Sequence, residues 1–100
     1  MAEWNDITTT ITVRDMVKVD LGIKATVYDE RLTQYVEAAK KAIVREGVAT
    51  LSDDIEDMQL VAMYAGWLWR KRDTGDGMPR NLRWMLNNRI LSEKAGESDG

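Results

Sequence analysis

The chain has no cysteine and no histidine among its 100 residues. The absence of cysteine excludes disulfide bonds and thiol nucleophiles, and the absence of histidine excludes an imidazole general base. The usual ligands of a zinc site are missing with them. The first residues do not form a basic segment followed by an apolar one, so no secretory signal is predicted and we expect synthesis in the cytoplasm.

The longest apolar stretch covers residues 58–69, MQLVAMYAGWLW, and contains no charged side chain. It is too short to span a bilayer, which takes about 20 apolar residues, so we expect no membrane partner. As a helix it would carry one apolar stripe from Ile55 through Ala62 to Trp69. A second stripe, well round the helix from the first, consists of Leu60, Tyr64 and Trp67. A helix that is apolar all round is buried, either at the centre of its own domain or against a neighbouring subunit.

Periodicity and capping signals predict an all-α fold, a small four-helix domain. Residues 1–11 lack a helical period and are predicted to form an extended N-terminal arm. The helical domain is expected over residues 12–94, followed by a flexible polar tail over 95–100. Within that domain the expected helices cover residues 13–20, 29–45, 53–72 and 79–93.

Capping and turn residues set the predicted helix boundaries. Thr12 and Ser52 are the predicted N-caps of the first and third helices. Gly22 and Gly47 tolerate positive φ and are expected to end the first two helices. Pro79 suits the first position of the fourth helix. The predicted core face of the second helix consists of Leu32, Tyr35, Val36, Ala39, Ala42 and Ile43, and that of the fourth consists of Leu82, Met85, Leu86 and Ile90.

Charge is unevenly distributed along the chain, whose net charge is −3. Residues 29–57 contain eight acids against four bases, whereas residues 70–94 contain seven bases against three acids. Oppositely charged regions could stack copies of the chain on one another, although ordinary local variation on a solvated surface gives the same pattern. The acidic total argues against a dedicated nucleic-acid binder.

Few residues form a pattern typical of a catalytic, metal-binding or phosphate-binding site. Asp53, Glu56 and Asp57 share a helix face, where they could hold a hard cation or simply offset the free N–H groups of a first helical turn. Residues 75–77, Gly-Asp-Gly, lack the Gly-Lys-Ser/Thr of a phosphate-binding loop and are predicted to be a connector. No activated nucleophile is recognisable. We predict no catalytic residue, metal or cofactor, and an enzyme with an acidic site near Asp53–Asp57 remains an alternative.

Surface aromatic and basic residues suggest contacts with other molecules. Arg80, Trp84 and Leu91 share the face of the fourth helix opposite its core stripe, and Trp and Arg are enriched in interface hot spots. Trp4 could anchor the N-terminal arm. The predicted interface residues are Trp4, Leu60, Tyr64, Trp67, Arg80, Trp84 and Leu91. As an alternative, the bases of residues 70–89 could bind nucleic-acid phosphates while Trp67 and Trp84 stack on bases.

The order of these segments resembles the small head–tail connector, or adaptor, proteins of tailed bacteriophages. The resemblance covers residues 12–94 and depends on the order of elements, especially the second and fourth helices, since no single motif is a signature. The segments that carry it are TVRDMVK with the following LGI, DERLTQYVEAAKKAIVREGV, MYAGWLWRKR and MPRNLRWMLNNR.

The resemblance implies a structural virion protein and not an enzyme. It implies a homo-oligomeric ring, commonly dodecameric, that docks beneath the portal protein at the head–tail interface. Such a ring extends the DNA channel, lies close to packaged DNA without binding it specifically, and receives the next tail-side connector or stopper protein. Family members often bind the portal with a C-terminal segment, which is short here. The arm with Trp4 or the Arg80–Trp84 face is therefore expected to contribute more to portal binding.

Overall fold

Four α-helices form the domain. The structure is a computed structural model that describes residue 4 and residues 7–98, with side chains as far as residue 95. The helices are α1 (Ile7–Leu21), α2 (Asp29–Glu46), α3 (Ile55–Thr74) and α4 (Arg80–Ser98). No strand occurs in the described residues, so the predicted all-α four-helix class is confirmed. None of these helices is long and apolar enough to cross a membrane.

α3 occupies the centre of the domain, as its apolar composition predicts. It packs against α1, α2 and α4. Its buried side chains are distributed around most of its circumference, as expected for a central helix. The buried apolar positions are Leu60, Val61, Ala62, Tyr64, Ala65, Gly66 and Trp69. Ile55 departs from the prediction, since it is 54% exposed at the first position of the helix, where the bundle ends.

The predicted core faces of α2 and α4 are confirmed. On the core face of α2, the fully buried side chains are Leu32, Val36, Ala39 and Ile43. Tyr35 and Ala42 are partly buried and pack against the same core. In α4, Leu82 and Leu86 are buried, and Met85 and Ile90 pack against the same core. The 3.6-residue period of the apolar side chains therefore identified which side of each helix faces α3.

The beginning of α1 was wrongly predicted. The helix starts at Ile7, inside the predicted extended arm, and residues 7–11 are helical. Thr12 is therefore no N-cap: its hydroxyl donates to the Thr8 carbonyl oxygen within the helix, at 3.0 Å. The β-branched residues that suggested extended backbone are held helical because Thr10 and Val13 face the core at helical spacing. Residues 1–3, 5 and 6 of the predicted arm lie outside the described residues.

Two further boundaries differ from the prediction. The N-cap position of α3 is Asp54 and not Ser52, whose hydroxyl instead accepts the Asp54 N–H at 3.2 Å. α4 continues to Ser98, so residues 95–98 of the predicted tail are helical. That extension combines alanine and glutamate, which favour helix, with glycine and serine, which favour it less. Residues 99–100 lie outside the described residues.

Candidate interaction surface

The outward face of α4 exposes large apolar side chains, as the sequence predicts. Trp84 is 68% exposed and Leu91 is 62% exposed. Arg80 is exposed on the same face and has no ion pair among the described residues. On the opposite face Leu82 and Leu86 are buried against α3. The exposed indole is therefore a feature of the folded chain that no other helix of the chain covers.

A groove lies beside this face, along α3 between α1 and α4. It comprises three neighbouring hollows of about 330, 470 and 320 Å³. Gln59 and Met85 line both the first and the second, and Ala62 and Met63 line both the second and the third. Methionines from three helices, Met16, Met63 and Met85, line the central hollow, and Trp84 lines the hollow at one end. Val19, 80% exposed, forms the outer edge. We refer to this surface as the methionine groove.

Small residues form the floor of the methionine groove. Ala62 and Gly66 of α3 lie along it, one helical turn apart. A side chain at Gly66 would meet the Arg70 guanidinium, whose Nη1 lies 3.6 Å from the position of a Cβ. Because methionine is flexible and polarisable, such walls adapt to an inserted surface. Sequence analysis missed the groove because its three methionines belong to three different helices and form no local pattern.

Charges mark the two ends and the middle of the methionine groove. Glu56 lines the hollow next to Trp84, and Arg70 lines the hollow at the far end. Asp20 of α1 lies along the central and far hollows. None of these three charged side chains has an ion-pair partner within the described part of the chain.

Three predicted interface residues, Trp4, Leu60 and Tyr64, are buried within the chain, which leaves them almost no surface to offer a neighbour. Leu60 and Tyr64 belong to the core, because α4 and the end of α2 cover the second stripe of α3. Burial raises the pKa of the Tyr64 phenol, and the nearby Glu46 carboxylate raises it further. Trp4 is also buried, as described below.

Trp4 anchors the N-terminal residues to their own chain. Its indole Nε1–H donates to Thr10 Oγ1 at 3.1 Å, and its backbone N–H donates to the Leu51 carbonyl oxygen at 2.9 Å. Lys40 Nζ lies 4.8 Å from the centroid of the ring. The Thr10 hydroxyl in turn donates to Glu37 at 3.1 Å. The predicted anchoring role is therefore fulfilled within one subunit, where the ring has almost no surface left for a neighbour.

Trp67 is partly exposed and has several partners of its own. Its indole N–H donates to the Asp76 carbonyl oxygen at 3.1 Å, which ties α3 to the loop before α4. Lys71 Nζ lies 4.6 Å from its ring centroid, and Tyr64 meets it edge to face at 5.3 Å. Residues 75–77 form part of the loop between α3 and α4, as the sequence predicts. Gly75 ends α3 in the left-handed conformation.

The acidic cluster at the start of α3 separates in the structure. Asp53 and Glu56 are exposed, whereas Asp57 is buried and accepts hydrogen bonds from the Ser52 N–H and hydroxyl, both at 2.9 Å. Arg89 of α4 donates to the same carboxylate at 2.8 and 3.3 Å. No group of acidic residues in the described part of the chain could hold a metal ion. Asp57 therefore joins α3 to α4, a role that sequence analysis did not predict.

Arg89 extends this contact into a network that we call the Asp57–Arg89 clasp. Its guanidinium also donates to Glu93 at 3.0 Å and to the Thr50 carbonyl oxygen at 2.9 Å. Burial alone would raise the pKa of Asp57, but the hydrogen bonds from Arg89 and Ser52 outweigh burial and lower it. The bond from Arg89 likewise lowers the pKa of Glu93. The clasp thus requires both carboxylates in their charged form.

The basic region of the sequence is partly neutralised by the acidic region. Arg83 forms an ion pair with Glu46 at 3.3 Å, and Arg89 pairs with Asp57. The Arg72 guanidinium lies 3.5 Å from the Trp69 ring centroid. The oppositely charged regions predicted from the sequence are therefore interleaved in space, because α4 packs beside the start of α3 and the end of α2.

Comparison with known proteins gives no match: no protein-family model, no curated protein and no solved structure is significantly similar to this chain.

Proposed function

We propose that this chain is a structural subunit of a phage head–tail connector ring. In this proposal copies of the chain assemble beneath a portal protein in the virion, extend the DNA channel, and dock the next tail-side connector or stopper protein. The proposal rests on the sequence resemblance over residues 12–94 together with one structural observation. That observation is the exposed Trp84 beside the methionine-lined hollow, because a small monomer seldom leaves a large aromatic next to further apolar surface in water.

The charge of the chain agrees with a channel lined by this protein. A net charge of −3 disfavours binding to DNA phosphates, so DNA would pass without adhering. A structural role of this kind depends on an exposed apolar surface and on copies that fit one another.

Trp84→Ala tests the proposal. We expect the variant to remain folded, with an unfolding free energy within about 1 kcal/mol of the parent, because the ring is mainly in solvent. We expect it to lose self-assembly and docking, since truncating a hot-spot tryptophan weakens an interface by about 2 kcal/mol or more. Native mass spectrometry and electron microscopy of the chain, alone and mixed with purified phage portal rings, measure both effects.

Val27→Ala is the matched control, because Val27 is 76% exposed and lies in the loop between α1 and α2, away from the methionine groove. It should assemble as the parent does. Normal assembly by Trp84→Ala would show that this face is no interface and would leave the sequence resemblance as the sole support for the function.

A further inference from the structure

The methionine groove has no occupant within its own chain. It runs from Glu56 to Arg70 of α3, a span of about 21 Å at the rise of an α-helix. A groove of that length, with methionine walls in its central hollow and small residues on its floor, is long enough to receive another helix. In the hollow at one end Asp57 and Arg89 pair with each other, which leaves Glu56 as the unpaired charge there. At the other end Arg70 lies with Asp20. The terminal charges, Glu56 and Arg70, favour an occupant with the opposite order of charge.

The outward row of α2 has that order of charge. It consists of Glu30, Gln34, Ala38, Lys41 and Arg45, which lie along one line of the helix surface and are all exposed. From Glu30 to Arg45 the row spans about 22 Å, which matches the groove. Its acid and its two bases have no ion pair within the described residues. No residue of α2 lines the groove, so the row and the groove are separate surfaces of one subunit.

We propose that the methionine groove receives the outward row of α2 from a second copy of this chain, a step that rests on the self-assembly proposed above. The second copy's helix lies antiparallel to α3, which places its Arg45 at Glu56 and its Glu30 at Arg70. In this register Lys41 lies near Asp20. The small Ala38 comes opposite Met63, which allows the two helices to approach closely.

This pairing joins two different surfaces, so each copy can bind two neighbours and the assembly can grow. Each subunit offers its groove to one neighbour and its α2 row to another, which is a heterologous contact. Heterologous contacts close into a ring when the rotation between neighbours allows it. A ring of this kind would leave Arg80 and Leu91 of α4, which line none of the three hollows, open for a different protein.

Charge reversal at both ends of each surface tests the pairing. One variant, with Glu56→Arg and Arg70→Glu, has a reversed groove, and the other, with Glu30→Arg and Arg45→Glu, has a reversed α2 row. Both keep the parent net charge of −3, so nonspecific repulsion between copies is unchanged. When copies of only one variant associate, each end of the groove faces a charge of the same sign on the α2 row of its neighbour, which opposes association.

We expect each variant alone to self-associate at least about tenfold more weakly than the parent in sedimentation equilibrium. An equimolar mixture should recover to within about threefold of the parent, because every groove then meets an α2 row of opposite charge order. Thermal melts confirm that each variant is folded before the comparison is made.

The outcomes separate this pairing from the proposed function. Parent-like association of either variant alone, or a mixture as weak as its components, overturns the pairing. If Trp84→Ala nevertheless abolishes assembly, the connector proposal stands with a different contact. If the parent itself does not associate up to its solubility limit and does not assemble on portal rings, both proposals fail together.

Discussion

At the scale of single residues, the Asp57–Arg89 clasp carries the clearest energetic consequence. Asp57 is buried, so removing its charge leaves Arg89 partly buried without its main partner. Breaking a buried ion pair by removing one partner is strongly destabilising, more so than removing an exposed pair. The hydrogen bonds from Ser52 and the partial exposure of Arg89 make the expected loss of stability smaller for this pair than for a fully buried one.

Asp57→Asn should lower the unfolding free energy by about 2–3 kcal/mol at pH 7, measured by urea denaturation. Glu56→Gln is the control, because this neighbouring carboxyl is exposed and unpaired, and it should change stability by less than about 0.5 kcal/mol. Equal effects of the two substitutions would show that the clasp does not stabilise the fold.

The pH dependence of the same pair follows from the direction of its pKa. The folded chain holds the pKa of Asp57 below its ordinary value, so the stabilisation is present above the unfolded pKa of about 3.9 and is lost as pH falls through the lower folded pKa. The stability difference between the parent and Asp57→Asn should therefore be constant from pH 7 to 5 and shrink below about pH 4. A difference that is unchanged at pH 3 would contradict this assignment.

Sequence analysis could not find the clasp, because its partners are far apart in the chain. Asp57 was correctly placed among the first turns of α3, where acids usually offset free N–H groups. Its actual partner, Arg89, belongs to the basic region of residues 70–89, which the sequence offers as an alternative phosphate-binding surface. Only the packing of α4 beside α3 brings the two side chains together, and no local spacing encodes that contact.

At the scale of elements, helix existence was predictable and helix ends were less so. α2 was predicted over 29–45 and spans Asp29–Glu46, because its apolar period, charged ends and terminal glycine all agree. α1 was shortened in prediction because its threonines favour extended structure locally. Tertiary contacts, including the hydrogen bond between the Trp4 indole and Thr10, stabilise the helix despite that preference.

The glycine after α2 gives a prediction at this scale. Gly47 has φ 128°, which side-chain-bearing residues rarely adopt, and a Cβ there would lie 3.4 Å from Cγ2 of Ile90 on α4. Gly47→Ala should therefore destabilise the fold by about 2–3 kcal/mol through backbone strain, while the new methyl group would make only an ordinary van der Waals contact with Ile90.

Gly22→Ala is the control for that substitution, because Gly22 has φ 72° and open space around its Cα. It should lower the unfolding free energy by about 1 kcal/mol, the usual penalty of the left-handed conformation. Thermal denaturation of both variants measures the difference. If Gly47→Ala is no more destabilising than Gly22→Ala, the φ of 128° at Gly47 costs no more free energy than the φ of 72° at Gly22.

At the scale of the whole molecule, the burial of both stripes of α3 changes where a neighbour can bind. Sequence analysis predicted more apolar surface than one chain could cover, and located part of the excess on Leu60 and Tyr64. The fold covers those two residues and leaves the excess at Trp84, Leu91 and the methionine groove. The excess was predictable from composition and helix faces, but its location depends on how α1 and α4 are placed around α3.

The same placement of helices disfavours the nucleic-acid-binding alternative. Because Arg83 and Arg89 pair with acids, the basic cluster that would contact phosphates is smaller than the sequence suggests. We therefore expect no discrete complex with single- or double-stranded DNA in gel-shift experiments at low salt, where phosphate contacts are strongest.

Arg70→Ser and Arg83→Ser make that DNA experiment decisive, because Arg70 has no ion pair in the described residues whereas Arg83 pairs with Glu46. A nucleic-acid binder would form a complex that weakens steeply with added salt and is weakened further by Arg70→Ser, since each lost phosphate contact removes a released counterion. Arg83→Ser would change that complex little. Such a result would favour the nucleic-acid alternative, whereas unchanged migration of DNA with all three proteins agrees with a channel through which DNA passes freely.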